Sequence, residues 1–128
     1  MSNKVKFELE FPLRSSNKVL YNSVSTPDGL SEWFADDVNI KNDIYIFKWD
    51  GTEERARLVS KKPFEHVRFQ WERDDEEEST VFEFIIKTDP LTMEVALMVV
   101  DHADEDDVED SQFLWNNQIS VLKQRLGA

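Results

Sequence analysis

The sequence predicts an α+β fold, in which an antiparallel sheet of about seven strands curves around a long C-terminal helix, with two short helices after the first strand. Three observations support this class. Apolar and charged residues alternate at the start, short apolar segments separated by turn residues fill the middle, and the C-terminal segment repeats apolar residues with helical spacing. With 128 residues, 40% of them hydrophobic, we expect one domain with a substantial core over residues 1–128.

The first strand is predicted at KVKFELEF, where apolar and charged residues alternate strictly. A period of two is typical of a strand with one buried face and one solvated face. Pro12 is expected to end this strand, because proline has no N–H to contribute to a sheet. Ser15 or Ser16 then caps a helix that extends to about Val24.

The stretch TPDGLSEWFADDV predicts a second short helix that turns a corner. Thr26 suits the N-cap, and Pro27 suits the first helical position, where its missing N–H costs nothing. Leu30, Trp33 and Phe34 follow at spacings of three and four, so they share one face of this helix.

Six further strands are predicted in the middle of the chain, because short apolar segments alternate there with turn residues. These strands are Asp37–Ile40, Ile44–Asp50, Glu54–Lys61, His66–Arg73, Ser79–Lys87 and Met93–Asp101. Their predicted turns are Lys41-Asn42-Asp43, Asp50-Gly51, Lys62-Pro63, Asp74-Asp75 and Asp89-Pro90. Connections this short place neighbouring strands antiparallel.

The segment from about Asp106 predicts a long amphipathic helix. Acidic residues crowd its positive end, Lys123 and Arg125 lie near its negative end, and Gly127 supplies a stop. Such a helix covers the otherwise exposed apolar face of the sheet, which gives the helix-grip arrangement. Its apolar stripe consists of Val108, Ser111, Trp115, Ile119, Leu122 and Leu126, with Trp115 near the middle.

The segments STPDGLSEWFADDVNI, FKWDG, ARLV, FEF, VALMVVD and LWNNQISVLKQRLGA resemble one family over nearly the whole chain. They are similar to the START-like domains of the activator-of-heat-shock-ninety-ATPase-homologue group, within the polyketide-cyclase and birch-pollen-allergen superfamily. The resemblance implies a helix-grip fold with an apolar cavity between the sheet and the long helix. It implies little about chemistry, because the superfamily includes lipid carriers, hormone receptors, cyclases and co-chaperones. Chaperone-activating members carry a further N-terminal domain that this sequence lacks, so we do not expect that role to transfer.

The charge of the chain argues against several classes of partner. With 15 basic and 27 acidic residues, the net charge is -12, which repels nucleic acid and anionic membranes. The sequence contains no cysteine, no apolar run long enough to enter a membrane and no signal peptide. We therefore expect a cytoplasmic protein that binds no nucleic acid and does not insert into membranes.

Catalytic and metal-binding motifs are not recognisable in the sequence. Neither His66 nor His102 belongs to a catalytic pattern, and there is no phosphate-binding loop, HExxH motif or dinucleotide fingerprint. The acidic segment DHADEDDVED lacks the ligand spacing of a calcium loop and has too few histidines for a zinc site. We therefore predict no catalytic residue, no cofactor and no metal.

Large aromatic side chains form the most informative set for function. On the predicted strands they recur at every second position, so rings from neighbouring strands share one face. Rings stacked in this way form either a solid core or the wall of an apolar pocket. The candidate cavity-lining residues are Trp33, Phe34, Phe47, Trp49, Phe69, Trp71, Phe82, Phe84 and Trp115.

Phe113 lies opposite Trp115 on an ideal helix, so we expect it to be exposed and name it as the candidate interface residue. Three functions remain open. The first is a non-enzymatic module that binds an apolar, lipid-like or aromatic small molecule. The alternative is a co-chaperone-like or adaptor protein, monomeric or homodimeric, which acts through its surface on a protein partner. A cyclase or hydrolase that uses the cavity is the weakest alternative.

Overall fold

The structure, a computed structural model, describes residues 4–73 and 79–127, so the predicted turn at Asp74-Asp75 lies outside the described residues. The strands in this part of the chain form one antiparallel sheet in the order β1-β7-β6-β5-β4-β3-β2. Together with the helices, this sheet confirms the predicted fold class. In chain order the elements are β1 (Lys4–Leu13), α1 (Asn17–Ser25), α2 (Pro27–Ser31), β2 (Asp37–Lys41), β3 (Ile44–Trp49), β4 (Thr52–Lys62), β5 (His66–Trp71), β6 (Val81–Thr88), β7 (Val95–Asp104), a 3₁₀ turn (Glu105–Asp107) and α3 (Val108–Leu126).

The three helices cover one face of the sheet, which we call the inner face. β1 and β2 are the two edge strands, so α1 and α2 carry the chain from one edge to the other. α1 packs over β5 and β6, α2 packs beside β2, and α3 packs over β1 and β7. A register shift between Leu58 and Ser60 interrupts the pairing of β4 with β5, and such bulges bend a strand.

β1 continues through Pro12 to Leu13, so the expectation that Pro12 ends this strand is wrong. β1 is an edge strand and pairs with β7, where Leu13 lies opposite Val95. A residue without an N–H is tolerated at an edge, because half of the backbone groups there point away from the sheet. The two buried residues Leu13 and Val95 show that the strand beyond the proline still contributes to the core.

The caps predicted for α1 and α2 are confirmed. The Ser16 hydroxyl accepts a hydrogen bond from the Val19 N–H at 3.1 Å, and the Thr26 hydroxyl accepts one from the Gly29 N–H at 2.9 Å. Gly29 also lets the two helices approach closely. A Cβ at this position would lie 2.8 Å from the Ser23 Cα and against the Asn22 carbonyl oxygen.

α3 confirms the predicted long helix, although it begins at Val108 rather than near Asp106 because the three acidic residues before it form a 3₁₀ turn. Trp115, Ile119 and Leu122 are buried, as the apolar stripe predicts. Gly127 ends the helix with a positive φ of 68°, a conformation that favours glycine. Within residues 4–73 and 79–127, no helix is both long enough and apolar enough to cross a bilayer.

Candidate functional site

Aromatic side chains from the sheet, the α2–β2 connection and α3 meet on the inner face. Strand alternation turns the rings of β3, β5 and β6 to this side, and α3 adds one indole from above. We call this set the aromatic cluster. Its members are Trp33, Phe34, Tyr45, Phe47, Trp49, Phe69, Trp71, Phe82, Phe84 and Trp115, which include all nine candidate cavity-lining residues.

Phe34 lies at the centre of the aromatic cluster and is only 4% exposed. Its ring centroid is 5.2 Å from that of Phe47 and 5.5 Å from that of Trp49. On the other side, Trp115 stacks on Phe34 at 5.6 Å with 19° between the ring planes. Phe34 is therefore packed between the sheet and α3.

The strand rings also contact one another directly. The centroid of Phe82 lies 4.6 Å from that of Trp71 and 5.0 Å from that of Phe69, within the range of favourable aromatic pairs. Rings at these separations touch, so a ligand reaches the cluster most readily at its margins. Trp49 and Trp71 are half-buried and mark those margins on the sheet.

Polar ring atoms in the aromatic cluster bond to backbone carbonyls that surround it. Trp33 Nε1 donates to the Ser23 carbonyl oxygen at 2.8 Å, and the Tyr45 hydroxyl donates to the Ser25 carbonyl oxygen at 2.7 Å. Burial raises the pKa of Tyr45, with smaller contributions from Tyr21 and Asp43. The hydroxyl therefore stays protonated and continues to donate to the end of α1.

Asp101 is a half-buried carboxylate on the inner face that sequence reasoning missed. Its Oδ2 accepts a hydrogen bond from Trp115 Nε1 at 2.8 Å, and its Oδ1 accepts one from the His102 backbone N–H at 2.7 Å. Burial raises the pKa of Asp101 above its usual range, although both hydrogen bonds, together with the charges of His102 and Lys4, oppose that rise. The alternation in β7 could have indicated this position. Val95, Leu97 and Val99 point inward at every second position, and Asp101 is the next residue in that series.

A groove of about 420 Å³ opens between the α2–β2 connection and α3. This corner groove is where TPDGLSEWFADDV passes the long helix. Trp33, Phe34 and Trp49 are the aromatic residues that line it, α3 contributes a mostly polar wall, and the lining as a whole is more polar than apolar. Its lining residues are Ser31, Glu32, Trp33, Phe34, Ala35, Asp36, Trp49, Gln118, Val121 and Arg125.

Side chains of α3 close the bottom of the corner groove by bonding to the corner backbone. Gln118 Nε2 donates to the Phe34 carbonyl oxygen at 3.1 Å, and Arg125 Nε donates to the Glu32 carbonyl oxygen at 3.2 Å. Trp49 Nε1 donates to the same Phe34 carbonyl at 2.8 Å. The bonds from Gln118 and Arg125 hold α3 against the α2–β2 connection, and the bond from Trp49 ties the same connection to β3.

At the opposite margin, Arg73 covers Trp71. The Arg73 guanidinium carbon lies 5.1 Å from the Trp71 ring centroid, and its Nη1 is 3.1 Å from a carboxylate oxygen of Glu54. A shallow depression of about 360 Å³ adjoins this pair. Charged side chains therefore close this end of the cluster, whereas the corner groove leaves the other end accessible.

Both histidines lie on the outer face of the sheet, away from the aromatic cluster. His66 Nε2 is 3.0 Å from the Ser60 hydroxyl, and His102 Nδ1 is 2.9 Å from the Val81 carbonyl oxygen. Each imidazole therefore stabilises a pair of neighbouring strands. Across the described ranges, no group of three or more His, Asp or Glu side chains is arranged to hold a metal ion.

Comparison with known families gives a match over the full sequence. A family model described as a START-like superfamily domain matches residues 1–128. A search of the curated proteins finds no match.

Several solved structures are similar to this chain. The solution structure of BfR322 from Bacteroides fragilis is 34% identical, with a TM-score of 0.67, and the match covers 98% of this chain and 92% of that one. The Aha1 dimer from Colwellia psychrerythraea is 18% identical, with a TM-score of 0.80 and coverage of 95% and 96%. DynU16, from the dynemicin biosynthetic locus, is 12% identical, with a TM-score of 0.79, and the match covers 100% of this chain but 48% of that one. At these lower identities, the last two similarities establish the fold alone.

Proposed function

The chain belongs to the START-like superfamily, as its sequence resemblance predicted, and we propose that it is a non-enzymatic binding module for a small apolar molecule, lipid-like or aromatic. The observation that carries this proposal is the corner groove, where three aromatic residues of the cluster line a concave space together with polar residues of α3 and of the α2–β2 connection. Small-molecule sites typically combine apolar walls with a few placed polar groups in a concave space of about 300–1,000 Å³. The corner groove, at about 420 Å³, lies within this range of volume and contains both aromatic and polar residues, although its lining is more polar than that of a typical site.

The apolar part of the ligand would contact Trp33, Phe34 and Trp49. Aromatic faces bind flat or flexible apolar groups well, because they bury a large area without losing conformational freedom. The remaining candidate residues do not line this groove but pack behind the contacting residues in the aromatic cluster; they are Phe47, Phe69, Trp71, Phe82, Phe84 and Trp115.

The polar end of the ligand would face α3. Gln118 and Arg125 line the groove, and both already donate to corner carbonyls. A ligand that supplies its own acceptor can take over one of these donors at little net cost, because one hydrogen bond replaces another. Movement of α3 away from Phe34 then deepens the groove towards Trp115, which stacks on that ring.

The cyclase or hydrolase alternative receives less support from the same geometry. Both histidines bond within the outer face of the sheet, and neither lines the groove. Glu32 and Asp36 do line it, but no histidine is among the lining residues to act beside them. The adaptor alternative needs no groove, and it depends on the surface of α3.

The test is binding of 1-aminoanthracene, a neutral fluorescent dye, followed by displacement with oleic acid. Gln118→Trp places an indole in the groove, and Asn116→Trp places the same indole on the exposed opposite flank of α3 as the matched control. We expect Gln118→Trp to weaken dye binding by about tenfold or more, roughly the loss of one well-packed contact, while Asn116→Trp binds like the wild type. Native mass spectrometry of protein purified from cells should detect a bound apolar molecule. Binding that is equal in both variants, or undetectable in the wild type, would contradict the proposal.

A further inference from the structure

The exposed side of α3 lacks charged residues along most of its length. From Ser111 to Leu122 there is no Asp, Glu, Lys or Arg, although 33% of the chain is charged and about four such residues would be expected in a segment of this length. A solvated helix face in an acidic protein is normally rich in charge. Depletion of charge is instead typical of the centre of a protein interface.

Apolar side chains are exposed on the same segment. Phe113 is 66% exposed, Leu114 is 61% exposed and Val121 is 38% exposed, whereas Trp115 on the buried side is only 6% exposed. Leu114 and Val121 are seven residues apart, so they lie two turns apart on one line along the helix. Phe113 lies beside this line and widens the apolar area, as expected for the candidate interface residue.

Charged residues of opposite sign lie at the two ends of the line formed by Leu114 and Val121. Asp110 precedes Leu114 by one turn, and Arg125 follows Val121 by one turn. The order along the helix is therefore acid, leucine, two amides, valine, base. We call these residues the α3 stripe, and they are Asp110, Leu114, Asn117, Gln118, Val121 and Arg125. Gln118, Val121 and Arg125 also line the corner groove, so a partner on the stripe and a ligand in the groove compete for these three residues.

We propose that the α3 stripe binds a second copy of this chain, with the two α3 helices antiparallel about a two-fold axis between Asn117 and Gln118. Positions that are equally distant from this axis meet across it. Leu114 then contacts the partner's Val121, and Asp110 contacts the partner's Arg125. Because the stripe is self-complementary in this orientation, it satisfies the requirement of an isologous interface.

The charges at the two ends of the α3 stripe favour the antiparallel orientation and a second copy of this chain as the partner. A parallel pair would bring the acidic ends of both helices together, including the acidic 3₁₀ turn, and like charges at close range are destabilising. An unrelated acidic or basic protein would match one end of the stripe and oppose the other. A single helix pair buries less than the roughly 1,200–2,000 Å² of stable complexes, so the dimer is reversible.

Sedimentation velocity over a concentration series tests the surface. Leu114→Glu introduces a carboxylate into the stripe, and Leu91→Glu makes the same change at a position that is 93% exposed in the β6–β7 connection. We expect a concentration-dependent dimer for the wild type and Leu91→Glu, and a monomer for Leu114→Glu. Circular dichroism should remain unchanged in both, because both side chains are exposed. A wild type that stays monomeric at its highest soluble concentration, or a Leu114→Glu dimer, would overturn the proposal.

Mixing two charge variants tests the orientation. Asp110→Arg alone opposes the partner's Arg125, and Arg125→Glu alone opposes the partner's Asp110, so each variant should dimerise about tenfold more weakly than the wild type, since two exposed ion pairs become repulsive. An equimolar mixture restores both pairs and should form a heterodimer that ion-mobility or native mass spectrometry distinguishes by mass. A mixture that associates no better than the separate variants would refute the antiparallel register.

Discussion

Truncation of Trp115 to alanine tests whether α3 is anchored through the aromatic cluster. The indole is 6% exposed, stacks on Phe34 at 5.6 Å and meets Phe84 edge-on at 5.7 Å. Its N–H also donates to Asp101 at 2.8 Å. Trp115→Ala therefore removes both a packed ring and the N–H that donates to the half-buried Asp101 carboxylate.

The expected loss of stability can be worked from these contacts. Truncation of a buried Phe or Trp to alanine costs roughly 3–5 kcal/mol, because the removed ring leaves a cavity. Loss of the donor to Asp101 adds roughly 1 kcal/mol, the low end for an unpaired group, because this carboxylate is only half-buried. We expect the free energy of unfolding to fall by about 4–6 kcal/mol, a large part of the total stability of a domain of this size.

Urea titration followed by far-ultraviolet circular dichroism measures this loss, with Trp115→Phe as the matched variant. Phenylalanine keeps a ring against Phe34 but lacks the N–H, so we expect a loss of about 1–3 kcal/mol for Trp115→Phe. The difference between the two variants isolates the packing of the ring. A loss below about 2 kcal/mol for Trp115→Ala would refute the reasoning, because a ring in such contacts cannot be removed so cheaply.

Two further predictions concern the same side of the molecule. Burial raises the pKa of Asp101, so the folded state loses stability as the pH rises from the unfolded pKa of about 3.9 through the folded pKa. Asp101→Asn does not ionise, so its free energy of unfolding relative to wild type should increase over that pH range in urea titrations; a constant difference would contradict the burial of the charge. Gly29→Ala forces a Cβ against α1 and should cost about 1–3 kcal/mol, whereas Gly51→Ala, which meets no atom within 4 Å, carries only the strain of its φ of 76°. Equal thermal stability of the two glycine variants would argue against close packing of α1 on α2.

Much of the fold was predictable from the periodicity of apolar residues in the sequence. Aromatic rings recur at every second position of β3 and β6, which correctly placed Phe47, Phe82 and Phe84 on one face, because side chains of a strand point alternately to its two sides. The capping residues Ser16 and Thr26 were identifiable for a similar reason, since their hydroxyls act on N–H groups three residues later. Local rules of this kind depend on neighbours in the chain and need no knowledge of the fold.

Features that depend on distant segments were not predictable in this way. Pro12 ends a strand only when its missing N–H faces a neighbour, and the sequence does not tell which strands are edges. Asp101 is the first residue of the acidic segment DHADEDDVED, and its hydrogen-bond partner Trp115 reaches it from another element. The corner groove likewise depends on how α3 crosses the α2–β2 connection, which no local pattern records.

In α3, one face is predictable from the local sequence pattern and another is recognised only from the packing of the helix on the sheet. The inward stripe through Trp115, Ile119 and Leu122 is apolar and continuous, so its burial follows from the period alone. The outward stripe is interrupted by amides and bounded by Asp110 and Arg125, so hydrophobicity alone does not identify it. The outward stripe can be recognised once the buried face of α3 is known, because Leu114 and Val121 are then seen to be exposed. Exposed apolar side chains that adjoin one another are typical of an interaction surface. The packing of α3 on the sheet thus shows that the residues of the α3 stripe lie together on the surface, which the sequence alone does not show.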